Sequence, residues 1–138
     1  MREIKFRGKR RDNGEWSYGY VCNCDIVPID KYIENNFGWL EEQECYYCFK
    51  DSICQFSGLT DDNEKEIYEG DIVKVTSLDD KHLGKSIISE VLFECASFCF
   101  KKDNRYIPLL FHVGIDEVQV MGNIYDNPEL LKKREERK

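Results

Sequence analysis

Gln55-Phe56-Ser57-Gly58-Leu59-Thr60-Asp61-Asp62-Asn63-Glu64-Lys65-Glu66-Ile67-Tyr68-Glu69-Gly70-Asp71-Ile72-Val73 is the stretch whose reading decides the fold. Ile53-Cys54-Gln55-Phe56 reads as a strand that ends at Gly58. Thr60 to Asn63 forms a turn, because short polar side chains bond the local backbone there. Ile67-Tyr68 is extended. At Glu69-Gly70-Asp71 the chain turns sharply, with Gly70 in a conformation that other residues adopt only at a cost. A new strand then starts at Asp71-Ile72-Val73-Lys74-Val75. The stretch holds turn formers and strand formers, and its demands are architectural.

Downstream of it, short β segments follow one another. Residues 76 to 86 form a charged loop, Ile87 to Phe93 a strand, and Ser97 to Lys101 its hairpin partner. Asp103-Asn104 turns into Tyr106-Ile107-Pro108-Leu109-Leu110, and Val118 to Tyr125 is the last strand. Asn127-Pro128-Glu129 starts a short C-terminal helix, with Asn at the N-cap, Pro at the first helical position and an acid in the first turn. Five or six short strands separated by turns describe a small antiparallel barrel, and entry after a Glu-Gly-Asp turn suits an SH3-like one.

Upstream, Ile4-Lys5-Phe6-Arg7 alternates apolar and charged residues, the period of a half-buried strand. Asp12-Asn13-Gly14 is a hairpin turn, and Trp16 to Val21 is the partner strand with Trp16, Tyr18 and Tyr20 on one face. Ile26-Val27-Pro28-Ile29 is an edge strand, since proline cannot donate to a ladder. Residues 22 to 50 otherwise read as an insertion-like region. The fold class is therefore mainly β. An N-terminal β-hairpin lobe with the connecting segment covers 1–69, and the SH3-like barrel with its helix covers 70–138.

Of the chain's 138 residues, 27 are acidic and 20 basic, a net charge of −7 that argues against generic binding to nucleic acid. The charge is unevenly placed. Six bases against Glu3 give the first eleven residues +5 and leave −12 on the remainder. A basic arm on an acidic body suits either a polyanion or the acidic face of a neighbouring subunit. No apolar run approaches the eighteen or so residues of a transmembrane helix, and Met1 to Phe6 lacks the core of a secretory signal. A cytoplasmic protein without a membrane partner is expected, and there the seven cysteines stay reduced.

Four blocks carry a family resemblance: Arg2-Glu3-Ile4-Lys5-Phe6-Arg7, Gln55 to Asp61, Lys65 to Val73, and Gly122-Asn123-Ile124-Tyr125-Asp126-Asn127-Pro128-Glu129-Leu130-Leu131. In this order, across almost the whole chain, they resemble the YopX family. The resemblance implies a mostly β protein with an SH3-like barrel, encoded by phages and prophages. It brings no catalytic residue and no established activity. Where family members usually have Asn-Gly in the central turn, this chain has Asn63-Glu64.

Candidate chemistry is sparse. Cys22, Cys24, Cys45 and Cys48 supply two thiol pairs about twenty residues apart, a spacing on which four thiolates hold zinc tetrahedrally. Against zinc, alternate residues of a strand point to opposite faces, neither pair carries a following glycine, and free cysteine packs as a small hydrophobe. Asp61, Asp62 and Asp71 resemble a carboxylate cluster, yet turn capping explains each of them. His82 lies in a polar loop without a nearby nucleophile, and His112 is expected in the core or in a hydrogen bond; a Cys99–His112 pair is the reactive alternative, which no motif supports. Neither a P-loop nor a dinucleotide fingerprint is present. The chain is expected to be no enzyme and to need no cofactor. The preferred reading is a protein-binding or assembly module, partnered by itself as a homo-oligomer or by a phage or host protein. The alternative is a nucleic-acid accessory protein using Arg7, Arg10 and Arg11 with Trp16 and Tyr18 as stacking residues, and a small zinc protein is the third.

Overall fold

The computed structural model describes residues 4–22, 25–28, 46–94 and 96–131. The fold is mainly β, with antiparallel sheets and one short helical turn at 129–131. The chain divides into two compact units, Met1–Phe56 and Ser57–Lys138.

The first unit is built on a meander of β1 (Phe6–Lys9), β2 (Trp16–Cys22) and β3 (Asp25–Pro28). Its first hairpin closes at Asp12-Asn13-Gly14: Gly14 takes φ +74°, its N–H donates to the Arg10 carbonyl at 3.0 Å, and the Glu15 N–H donates to Asn13 Oδ1 at 2.9 Å. Glycine is the residue that reaches positive φ without steric cost, so the turn forms where the sequence places it. The short β4 (Tyr46–Tyr47) pairs with β3. The chain just beyond bonds the end of β1, where the Arg11 N–H donates to the Tyr47 carbonyl and the Phe49 N–H to the Lys9 carbonyl, both at 2.8 Å. A 3-10 turn at Lys50–Ser52 follows. There the buried Ser52 hydroxyl accepts the Lys9 N–H at 2.8 Å and donates to the Phe49 carbonyl at 2.6 Å, which satisfies a backbone donor away from water. The strand β5 (Cys54–Thr60) then begins, pairing Gln55 with Phe6 and Cys54 with Arg7.

The second unit takes up the end of β5, which lies beside β6 (Glu66–Tyr68). Two further sheets follow. One has the order β12-β7-β8, from β7 (Asp71–Thr76), β8 (Ser86–Glu90) and β12 (Glu117–Asn123), and the other β11-β10-β9, from β9 (Leu92–Glu94), β10 (Ser97–Lys102) and β11 (Arg105–Pro108). Ile67, Val73, Val75, Val91, Phe100, Leu109 and Val118 form the buried cluster, all but Val75 at 1% exposure or less. Side chains of this kind contribute roughly 1.5–3 kcal/mol each on burial, so the cluster is the main stabilising feature of the unit.

The described sheets are open, and they do not close into the barrel that strand spacing suggested. Three local features account for this. The expected strand Ile87 to Phe93 breaks at Val91, whose N–H donates to the Asp71 carbonyl at 2.7 Å, so its two parts belong to different sheets. The Lys101 N–H of β10 bonds the hydroxyl of the buried Ser89 at 3.0 Å rather than a strand carbonyl. The outer edge of β12 bonds side-chain carboxylates of Asp61 and Asp62, where a closing strand would otherwise pair.

Candidate binding surfaces

The central stretch resolves into turn chemistry. Asp61 is buried, and its Oδ1 accepts the N–H groups of Asn63 and Lys65, both at 2.9 Å, while Oδ2 accepts the Val120 N–H, also at 2.9 Å. Asp62 Oδ2 accepts the Val118 N–H at 3.1 Å and its own N–H donates to the Val118 carbonyl. Asp71 is 2% exposed and its Oδ2 accepts the Tyr68 N–H at 2.8 Å. Between these, Gly70 takes φ +85° and both its N–H and its carbonyl are bonded, to Val91 and Ile124. The acids satisfy backbone donors. Among the described residues no group of three or more histidines, cysteines or acids is placed to hold a metal ion.

The N-terminal cations are engaged within their own lobe. Cross-strand register sets Arg7 opposite Tyr18 and Lys9 opposite Trp16. The Arg7 guanidinium lies 4.5 Å from the Trp16 ring centre and the Lys9 ammonium 5.7 Å from it, while Lys5 sits over Phe56 at 5.1 Å. Arg7 is only 5% exposed, so the residue expected to reach a phosphate is instead packed in the sheet face. Arg10 makes a fork with Asp12, Nε to Oδ1 at 3.0 Å and Nη2 to Oδ2 at 2.6 Å, and this hydrogen bonding holds the Asp12 carboxyl below its ordinary range. Arg11 donates from Nε to the Cys48 carbonyl at 3.3 Å and lies over Phe49 at 5.9 Å. Tyr18 is exposed and Trp16 half-buried. Arg7 lies on one strand of this pair and Trp16 and Tyr18 on the other, while Arg10 and Arg11 lie beyond β1, and which cations remain available depends on contacts 2 to 51 positions away.

Cys48 is a buried free thiol, as are Cys54 and Cys99. Cys24 and Cys45 lie outside the described residues, as does the side chain of Cys22, so the four-thiolate arrangement is not assembled from described groups.

The second unit carries a surface that the sequence reading passed over. Leu109 is fully buried and anchors a 3-10 turn, Leu109–Phe111, directly after Pro108. The loop that follows is tightly bonded: His112 and Val113 donate N–H groups to the Leu109 carbonyl, and Ile115 and Asp116 to that of His112. The His112 ring meets the Asp116 carboxylate through Nδ1 and packs edge-on against Phe100 at 5.1 Å. This frame holds Leu110, Phe111 and Ile115 outward, each 63–68% exposed. A second loop lies alongside, its Leu78 N–H 3.4 Å from Asp116 Oδ1, and it exposes Leu78 and Leu83. Leu110, Phe111 and Ile115 thus share one short bonded loop, and Leu78 and Leu83 a second loop tied to it through Asp116. Leu109-Leu110-Phe111 has no alternation from which exposure is legible.

A family model described as YopX protein matches residues 5–132. No curated protein matches. Among solved structures, the crystal structure of protein EF1440 from Enterococcus faecalis is similar at a TM-score of 0.52 and 20% identity, over 95% of this chain and 99% of that one. At that identity the likeness is one of fold. Among the described residues, no helix is long and apolar enough to cross a membrane.

Proposed function

The chain belongs to the YopX family, and from that premise together with the 109–116 loop we propose that it is a non-enzymatic module that docks a protein partner. The observation that carries this reading is the exposure of Leu110, Phe111 and Ile115 on a loop whose backbone is already bonded. An apolar surface held in one conformation loses little further entropy on binding, which is how rigid loops gain affinity. The phage and prophage setting that the family resemblance implies makes the partner a phage or host protein, and a second copy of the chain is the homo-oligomeric form of the same reading. The SH3-like relationship enters at this level too: β8 and β9 follow one another across a break at Val91 and lie in two different three-stranded sheets, and chains that switch sheets at such a bend are how small barrels turn their corners.

The test replaces Leu110 and Phe111 by serine. Both are exposed, so urea unfolding of the double variant should match that of the parent. Sedimentation and affinity capture from prophage-induced cells, each with and without nuclease, should then show an association in the parent that the variant loses. Equal association by both proteins, or one that nuclease removes, contradicts the reading.

A further inference from the structure

The hairpin of β7 and β8 carries, at its loop end, a cleft of about 390 Å³ that no feature of the docking loop accounts for. We propose that this cleft binds a small phosphomonoester, a molecule with one phosphate group and a compact apolar or planar body. The inference is independent of the docking reading.

The cleft is built from the bottom up by strand register. Val75 on β7 pairs with Ile87 on β8, and these two side chains supply its apolar wall. One step further, Thr76 pairs with Ser86, after which the chain closes into a loop: Ser77 donates its N–H to the Lys85 carbonyl at 2.8 Å, and Gly84 donates its N–H to the Ser77 carbonyl at 3.1 Å. The loop is fixed from inside by Asp79. Its Oδ1 accepts the N–H groups of Lys81 and His82 at 2.9 and 2.8 Å, and its Oδ2 accepts the Ser77 hydroxyl at 3.1 Å. Those backbone bonds, led by that of His82, hold the Asp79 carboxyl below its ordinary range. Asp79 also contacts His82 Nδ1 at 3.2 Å, so Nε2 is the ring nitrogen left to a ligand.

The polar lining consists of the Ser77 and Ser86 hydroxyls, His82, Lys85, and Lys102 reaching in from β10. Ser77 already donates to Asp79, so the donors left to a ligand are the two ammonium groups and the Ser86 hydroxyl. Among the described residues, no carboxylate lines the cleft. Neither Lys85 nor Lys102 has a carboxylate partner among the described residues, in a chain where acids outnumber bases by 27 to 20. Two lysines outweigh the single Asp79 carboxylate, whose oxygens are already occupied by its own loop. Two ammonium groups and the Ser86 hydroxyl beside an apolar wall match a phosphate attached to a small body.

The probes are inorganic phosphate and AMP, titrated into the full-length labelled protein and followed by backbone amide NMR. Saturable shifts at Ser77, His82 and Ser86 are expected with both, AMP saturating at lower concentration because Val75 and Ile87 contact its body. Lys85→Gln and Lys102→Gln should each weaken binding by about tenfold, the factor that one lost charge-assisted bond of roughly 1.4 kcal/mol produces. Lys85→Arg and Lys102→Arg should retain it. Unchanged urea unfolding will establish that the glutamine variants fold. Shifts that rise linearly without saturating, that equal amounts of chloride reproduce, or that survive in the double glutamine variant overturn the proposal. So does an oligonucleotide that binds the same residues more tightly than AMP, since that would make the site a nucleic-acid contact.

Discussion

Oδ2 of Asp61 accepts the backbone N–H of Val120 at 2.9 Å, joining residues 59 positions apart in the chain. The other carboxylate oxygen closes the local turn, so one buried side chain ties the central stretch to the edge of β12. Asp61→Ala would leave three N–H groups without this partner. At about 1–2 kcal/mol for each, the loss should be roughly 3–6 kcal/mol in urea unfolding, with Asp61→Asn intermediate. A loss below about 1 kcal/mol would show that water replaces the carboxylate and that the acid is kept for another reason.

Glu64 takes φ +62° in the central turn, at the position where the family resemblance implies a glycine. A side chain in the left-handed region costs about 1 kcal/mol, partly offset by the greater freedom of glycine in the unfolded chain. Glu64→Gly should therefore raise the unfolding midpoint slightly, by the equivalent of about 0.5 kcal/mol. Glu64→Ile should lower it by more than 1 kcal/mol or so, because β-branched residues fit that region worst. A destabilised glycine variant would mean that the Glu64 side chain contributes a contact that outweighs the strain.

Much of this was legible in the sequence. Asp12-Asn13-Gly14, Asp103-Asn104 and Glu69-Gly70-Asp71 all turn where their residue types require it, the first two with positive φ at Gly14, Asp103 and Asn104. Short-range rules suffice there, because the turn and its cause lie within four residues. Legibility ended where distant partners decide. The break at Val91 depends on Asp71, and the exposure of Leu110 and Phe111 depends on how Leu109 anchors the loop. Arg7 was readable as a cation on a strand, but its burial beside Trp16 was not. The cleft at His82, Lys85 and Lys102 joins two hairpins and has no local signature.

Glu90 gives a pH dependence with a definite sign. Burial, and then the charge of Glu69, raise its carboxyl above the ordinary value of 4.5. The folded protein thus holds this proton more tightly than the unfolded chain, and stability falls as pH rises through the folded-state value. The cost of the ionised carboxylate is present above the folded-state value and absent below 4.5, where both states are protonated. Glu90→Gln should raise the unfolding temperature at pH 7, with the gain shrinking to nothing as pH falls below 4.5. A gain that is the same at both ends of the range would mean that packing, not charge, causes it.

The basic arm yields a prediction against the nucleic-acid alternative. Arg7 is buried on Trp16, Arg10 is forked to Asp12 and Arg11 donates to the Cys48 carbonyl, so the described arginines of the arm are already engaged. A labelled single-stranded oligonucleotide should show no salt-sensitive shift at about 0.15 M salt. A shift that weakens steeply with salt, and that charge reversal at Arg7, Arg10 and Arg11 abolishes, would restore that alternative.

The central claim is that the 109–116 loop is a protein-docking surface. The most direct measurement places a photo-crosslinking residue at Phe111, with a second at the exposed Tyr106 of β11 as a control, and irradiates prophage-induced cells. The account predicts a discrete protein adduct from position 111 that Leu110→Ser removes and that position 106 does not give. No adduct at 111, or the same adducts from both positions, would contradict it.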